Sequence, residues 1–262
     1  MNPAPDQPAR RFQADALAVE VWPTAAALAA RAADVVAEHL HGVLGRQPRA
    51  AAILASATSQ ILFLDALAAR PGVDWSRVTL FHMDEYLGVP ADHPASFVRF
   101  MRERVEARLR PGAFHYLSGD CLEPLAECAR YADLLGAQPI DLCCLGIGEN
   151  GHLAFNDPPV ARFDDPHAVK LVQLDEPCRR QQVGEGCFPT LNDVPRYAFT
   201  LTIPTLGAVA KVVGVVPERR KAVAVRAALE GPVSPACPAS WLRRQSHATL
   251  FLDADSAGLL TR

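Results

Sequence analysis

Four consecutive apolar residues, Leu142–Leu145, stand between Asp141 and Gly146. A run that short, rich in small apolar side chains and closed by a glycine, reads as a strand covered on both faces, the form a parallel sheet demands. Within residues 140–159 the chain then breaks. Gly146, Gly148 and Gly151 permit close backbone approach, and Pro158 and Pro159 stop any helix. Between the breaks lie Glu149, Asn150, His152, Asn156 and Asp157. Polar, titratable groups packed just beyond the C-terminal end of a buried strand mark a ligand site in an α/β sheet.

The same glycines fit the spacing Gly-x-Gly-x-x-Gly of a dinucleotide-binding turn. That motif requires a helix beginning at the third glycine and an acid at the end of the next strand. Here His152 follows Gly151, prolines arrive before two helical turns are complete, and Asp164 and Asp165 precede Pro166 without a strand before them. Dinucleotide binding is therefore set aside.

The rest of the chain repeats the theme. Short apolar runs at 50–55, 78–81, 168–171, 197–203, 211–216 and 250–252 alternate with helical periodicity. An alanine-rich helix opens at Pro23 and ends at Gly45. Further helices are predicted over 61–70, 96–109, 122–135, 204–209, 219–229 and 237–244. About seven strands alternating with helices predict a single doubly wound, mostly parallel sheet with helices on both faces, Rossmann-like in outline. Residues 1–15, proline-rich and bearing Arg10 and Arg11, read as a mobile N-terminal arm, and residues 16–262 as one α/β domain.

Composition narrows the function. The net charge of −3 gives no basic field for nucleic acid or an anionic membrane. No apolar run is long enough to span a bilayer, and the N-terminal residues lack the apolar core of a secretory signal. Seven cysteines, without paired spacing, read as reduced thiols used as small apolar residues. A cytoplasmic location is expected.

In a doubly wound sheet the strand-to-helix loops gather along one edge. That rule brings together the hydroxyl loop Ser56, Thr58 and Ser59, the acids Asp84 and Glu85, the loop from Asn150 to Asp157, and Lys221 in the first turn of its helix. Each has a plainer reading. Ser59 or Thr58 caps a helix, Asp84 and Glu85 are loop acids, His152 is a core histidine, and Lys221 is a surface lysine. Together they make a different set. Hydroxyls and free N–H groups at a helix start, with a lysine, suit a phosphate. A histidine with an acid five residues on suits proton transfer, the carboxylate holding the imidazole, and Asp84 is a second base from a separate loop. The spacing matches no standard metal set, and no metal or cofactor is expected. Metal-free proton transfer on a phosphorylated small molecule is the reading these residues support.

Two segments resemble a known family. F-H-M-D-E-Y-L-G-V at 81–89 with H-P-A-S-F at 93–97, and G-I-G-E-N-G-H-L-A-F-N-D-P at 146–158, are similar in order and spacing to segments of the glucosamine-6-phosphate deaminases. Similarity extends over roughly residues 25–255. The resemblance implies a doubly wound α/β fold and an aldose–ketose isomerisation with loss of ammonia. It further implies that Asp84 moves a proton between C2 and C1 of an amino-sugar phosphate. His152 opens the ring at O5, Asn150 supports that step, Asp157 partners His152, and Ser56, Thr58, Ser59 and Lys221 hold the phosphate. An arginine that binds phosphate in the family has no certain match. Arg179 is nearby, while Gln182 falls closer to its place.

Asp157 replaces a family glutamate, and its shorter arm reaches about 1.5 Å less. The related 6-phosphogluconolactonases carry DER where this chain has Asp84-Glu85-Tyr86, and a GH-[TI]-ASLFP segment where it has Gly151–Asn156, which favours a deaminase. A lactonase and a non-catalytic sugar-phosphate sensor are the competing expectations. No nucleic-acid or membrane partner is expected, and a homo-oligomer is left open.

Overall fold

The structure, a computed structural model, describes residues 7–261. Its main sheet has eight strands in the order β1-β2-β11-β10-β7-β3-β4-β6. These are β1 (Arg10–Ala14), β2 (Leu17–Trp22), β3 (Ala50–Leu54), β4 (Val78–His82), β6 (Ala113–His115), β7 (Leu142–Leu145), β10 (Val212–Val216) and β11 (Ala248–Asp253). All neighbours run parallel except β1, which returns antiparallel on β2 through Asp15 in the left-handed region.

The alternation of side chains along each strand divides the core in two. Ala50, Ala52 and Leu54 of β3, with Leu142 and Cys144 of β7, pack on one face against α1 (Ala25–Leu44) and α2 (Ile61–Ala68). Ala51 and Ile53, with Cys143 and Leu145, pack on the other face against α5 (Pro124–Gly136) and α8 (Ala222–Glu230). Alanines are frequent in β3 and α1 because a helix must lie close to a sheet on that face. Thr24 starts α1 by accepting the Ala27 amide at 3.1 Å. All seven cysteines are free, and burial pushes the Cys143 and Cys144 thiols up, so both serve as small apolar residues.

The doubly wound, mostly parallel sheet agrees with the sequence pattern, with three corrections. Residues 10–14 are an edge strand instead of part of an arm, because Phe12 and Ala14 turn inward while Arg11 and Gln13 face out. The remainder of the expected arm, residues 1–6, lies outside the described residues. Two runs expected in the main sheet leave it: β8 (Val169–Gln173) and β9 (Tyr197–Leu201) join β5 (Asp84–Tyr86) in a separate antiparallel sheet, ordered β5-β9-β8. And two further main-sheet strands lie outside the runs predicted from the sequence: β2, whose Leu17, Val19 and Val21 alternate with half-buried residues, and the short edge strand β6.

The small sheet also converts Asp84 and Glu85 from loop acids into strand residues with opposite outlooks. Glu85 is fully buried and starts α3 (Phe97–Met101). Its Oε2 accepts from Ser96 Oγ and the Val98 amide, both at 2.8 Å, and Oε1 from the Phe97 and Tyr86 amides at 3.2 and 2.9 Å. The helix then passes through a π-helical turn, Arg102–Glu106, into α4 (Ala107–Leu109). Among the described residues, no helix is long and apolar enough to cross a membrane.

Removing this carboxylate strands buried donors on Ser96, Phe97 and Val98. Glu85→Ala is expected to cost roughly 2–4 kcal/mol of unfolding free energy, read from urea denaturation.

Candidate active site

Strand order decides where the site forms. From β3 the chain builds outward through β4 to β6, then returns to lay β7 on the other side of β3 and continues through β10 to β11. At such a reversal the loops leaving two adjacent strands turn apart and open a crevice at their C-terminal ends. Here the loop after β3 carries Ser56, Thr58 and Ser59, and the loop after β7 carries Gly146–His152. A cavity of about 280 Å³ lies between them. Asp84, just beyond β4, and Lys221, in the 3₁₀ turn Arg219–Lys221 that leads into α8, complete its polar lining.

The imidazole of His152 rests on bare backbone. A Cβ added at Gly148 would sit 2.1–2.3 Å from the His152 ring, so any side chain there displaces the imidazole. The Gly148 amide donates to the His152 carbonyl at 3.0 Å, and the Gly151 amide, in the left-handed region, to the Gly148 carbonyl at 3.0 Å. The glycines suggestive of a nucleotide turn thus build a tight loop around one histidine. His152 Nδ1 lies 2.8 Å from Asp157 Oδ1, a close contact that falls short of an aligned hydrogen bond. The shorter arm of aspartate therefore still reaches the ring.

Asn150 clasps the pair from behind. Its amide nitrogen donates to Asp157 Oδ1 at 2.9 Å and its oxygen accepts the His152 amide at 3.0 Å. Burial alone raises the Asp157 carboxyl, but His152, the Asn150 amide and the Cys178 thiol together hold it below the usual carboxylate range. His152, Asp157 and Cys178 offer three metal-binding atoms within 4.8 Å of one another. Burial and the Asp157 charge push the Cys178 thiol up, which keeps its proton available to that carboxylate.

Asp84 meets the cavity from the opposite chemistry. It is buried, and its Oδ1 has no hydrogen-bond partner among the described residues. Desolvation, then the nearby Glu85 charge, raises its carboxyl well above the ordinary range. A carboxylate kept short of partners and poised toward neutrality has the properties that proton transfer requires. His82, two residues earlier, is the contrast. Burial lowers it to about 3, and its Nε2 accepts the Leu117 amide at 2.8 Å, so it is a neutral structural histidine.

At the other end Ser56 Oγ is buried without a hydrogen-bond partner among the described residues, and Thr58 and Ser59 line the same wall. Lys221 is 3% exposed, and desolvation lowers its ammonium. Backbone N–H groups of the 3₁₀ turn Thr58–Gln60 at the start of α2 add positive potential.

The structure thus gathers Ser56, Thr58, Ser59, Asp84, His152 and Lys221 around one cavity, with Asn150 and Asp157 behind the imidazole. Arg179 is not brought in. Its guanidinium donates to the Leu191 and Val194 carbonyls at 2.5 and 3.0 Å and is spent on that loop. Gln182 lines the cavity instead, its Oε1 accepting the Tyr86 hydroxyl at 2.6 Å. Gln181 and Glu185 line the cavity too, and the sequence reading passed them over. All three belong to, or directly follow, α6 (Glu176–Gly184), which Asp175 caps by accepting the Cys178 amide at 2.8 Å. The Asp-Glu-Pro start at 175–177 was the available signal.

Fold and cavity together define a doubly wound α/β protein with a buried acid, an acid-backed imidazole and a buried ammonium around one small, largely apolar chamber. The family described as glucosamine-6-phosphate isomerases/6-phosphogluconolactonase matches residues 23–251, and the chain belongs to it. A glucosamine-6-phosphate deaminase of Arthrobacter sp. (strain FB24) is 33% identical over 92% of this chain and 92% of its own. One from Exiguobacterium sibiricum is 35% identical over 72% of this chain and 73% of its own. Among solved structures, a monomeric glucosamine-6-phosphate deaminase superposes with a TM-score of 0.83 at 28% identity, covering 92% of this chain and 99% of that one. The 6-phosphogluconolactonase of Thermotoga maritima shares the fold, with a TM-score of 0.73 at 19% identity over 90% and 99% of the two chains.

Two measurements test this geometry. Gly148→Ala is expected to lower kcat at least tenfold while the protein stays folded by circular dichroism, because the added methyl unseats the imidazole. Asp157, held low in the folded state, contributes stability that is present above an unfolded-state value of about 3.9 and is lost as pH falls through its folded value. Asp157→Asn is expected to be less stable than the parent at pH 7, the gap closing on acidification, as followed by urea unfolding across pH.

Proposed function

We propose that the protein is a glucosamine-6-phosphate deaminase, converting the amino-sugar phosphate to fructose 6-phosphate and ammonia. The observation that carries this reading is the burial of Asp84, raised and unpartnered, on the same cavity as the His152–Asp157 pair and Lys221. One chamber then holds a base of adjustable protonation, a proton carrier and an anion anchor. The named relatives supply the substrate class.

In this reading the phosphate lies against Ser56, Thr58 and Ser59 with Lys221 as counter-charge. His152, oriented by Asp157 and Asn150, takes the O1 hydroxyl proton and delivers a proton to the ring oxygen O5, so that the C1–O5 bond breaks and the sugar opens to the aldehyde. Asp84 takes the C2 proton while the substrate ammonium yields a proton to O1, leaving an enolamine, and Asp84 then returns its proton to C1 to give the C2 iminium. Water then adds at C2 and ammonia departs, which balances the conversion of an aldose amine to a ketose. A substrate ammonium beside Asp84 favours its ionised form, so the bound substrate supplies part of the base's activation. The low-polarity wall of Phe97, Phe100 and Phe155 limits competing water.

The test is direct. Purified protein with glucosamine 6-phosphate is expected to release ammonia and fructose 6-phosphate in equal amounts. Absence of both products sinks the proposal. Asp84→Asn is expected to reduce kcat by about 10³-fold or more, as loss of a general base does. The base acts deprotonated and its carboxyl is raised, so the acidic limb of the rate profile is expected at higher pH than an ordinary carboxylate gives.

A further inference from the structure

The phosphate end of the cavity already holds an anion. Glu185, its side chain 5% exposed, accepts on Oε1 from Arg220 Nη1 at 2.7 Å and Gln181 Nε2 at 2.8 Å, and on Oε2 from Thr58 Oγ1 at 3.2 Å. These donors come from three separate places in the chain: the turn after β3, helix α6, and the turn before α8. Arg220 Nη2 also reaches Thr58 Oγ1 at 3.4 Å. A guanidinium, an amide and a hydroxyl converging on one pair of oxygens is the donor set a phosphate oxygen accepts from. The seat opens on the cavity, since Thr58, Gln181, Glu185 and Lys221 all line it.

We propose that the Glu185 carboxylate sits in the seat that the substrate's phosphate takes, and that the phosphate displaces it to bind Arg220, Thr58 and Lys221. This rests on the proposed function and adds Arg220 and Glu185 to it as specificity-determining residues. Three observations support the exchange.

The first is charge. Around the seat stand two cations, Arg220 and Lys221, against three carboxylates, since Arg220 also meets Glu218 at 2.5 Å and Glu149 at 3.3 Å. The sum of +2 and −3 is −1, which repels a phosphate dianion. Glu218 and Glu149 are each 41% exposed and screened by solvent, so the buried Glu185 is the one a phosphate must expel.

The second is the unused cation. Lys221 is buried, yet its ammonium donates no hydrogen bond to any described residue, although it feels the Glu185 charge. A phosphate in the seat satisfies it. The third is the carrier. Glu185 lies between Gly184 and Gly186, the latter at φ +76°, and a Cβ at either glycine would meet nothing within 4 Å. Backbone rotation there swings the carboxylate out at low steric cost. The exchange also accounts for the lack of an arginine at Gln182, because Arg220 supplies the guanidinium from another element.

The experiment uses the full chain as parent, Glu185→Gln and Arg220→Gln. Inorganic phosphate is titrated by calorimetry, and KM and kcat are measured with glucosamine 6-phosphate. Glu185→Gln is expected to bind inorganic phosphate on the order of tenfold more tightly and to lower KM similarly, with a much smaller change in kcat. Arg220→Gln is expected to weaken phosphate and raise KM by about tenfold. If Glu185→Gln binds phosphate no better than the parent, Glu185 is only an anchor for Arg220 and the proposal falls while the proposed activity stands. If Glu185→Gln fails to fold, Glu185→Asp, which keeps the charge but retreats from Arg220, is expected to tighten phosphate binding as well, and its failure to do so overturns the exchange. A parent that neither binds nor turns over an amino-sugar phosphate removes the proposed function and this inference with it.

Discussion

The pairing of β3 with β7 is the constraint on which everything else depends. Ala52, Ile53 and Leu54 register against Leu142, Cys143 and Cys144, and each pair is buried from both sides. Strands so enclosed cannot slip by one residue without exchanging the contents of two cores. Their C-terminal ends are therefore fixed to within a hydrogen-bond length, as the Ala55 amide on the Cys144 carbonyl at 3.0 Å shows. Two loops leave from that fixed point in different directions, one with hydroxyls and one with the imidazole. The precision of the chamber is inherited from apolar packing beneath it.

Around that point the molecule distributes titratable groups by burial. Asp84 and Asp157 are both buried carboxyls, yet one is raised and the other lowered. The difference is partners. Asp157 meets an imidazole, an amide and a thiol, while Asp84 meets a second acid and apolar surroundings. Pushing like groups apart in this way brings Asp84 toward neutrality and keeps Asp157 charged behind the histidine. His82 is neutral inside the fold, whereas His152 faces the chamber.

Much of this was legible in the sequence, for physical reasons. Short apolar runs bounded by glycine and acid declare parallel strands, so the sheet and its functional edge could be foreseen, and with them the meeting of Ser56, Asp84, His152 and Lys221. What stayed hidden lacks a local signature. Nothing at 168–171 or 197–203 says that those strands form a second sheet with Asp84–Tyr86, because sheet membership is a long-range choice. The half-polar edge strand at 10–14 is stabilised by its neighbour β2, not by its own pattern. Arg179 looked suitable because it is basic and nearby, but its guanidinium reaches the Leu191 and Val194 carbonyls, while Gln182, one turn on, meets the Tyr86 hydroxyl at the cavity. Glu185 was invisible, since one acid after a polar helix carries no sign that three donors converge on it.

The floor beneath the His152 ring is main chain, left uncovered because residue 148 carries no side chain. The tilt of the imidazole is thus dictated by peptide geometry that also forms the Gly148–Gly151 turn. Altering the chamber's walls, where phenylalanines and glutamines stand, leaves that support untouched. A chain organised this way is free to change what its chamber admits while keeping the angle at which the imidazole faces it.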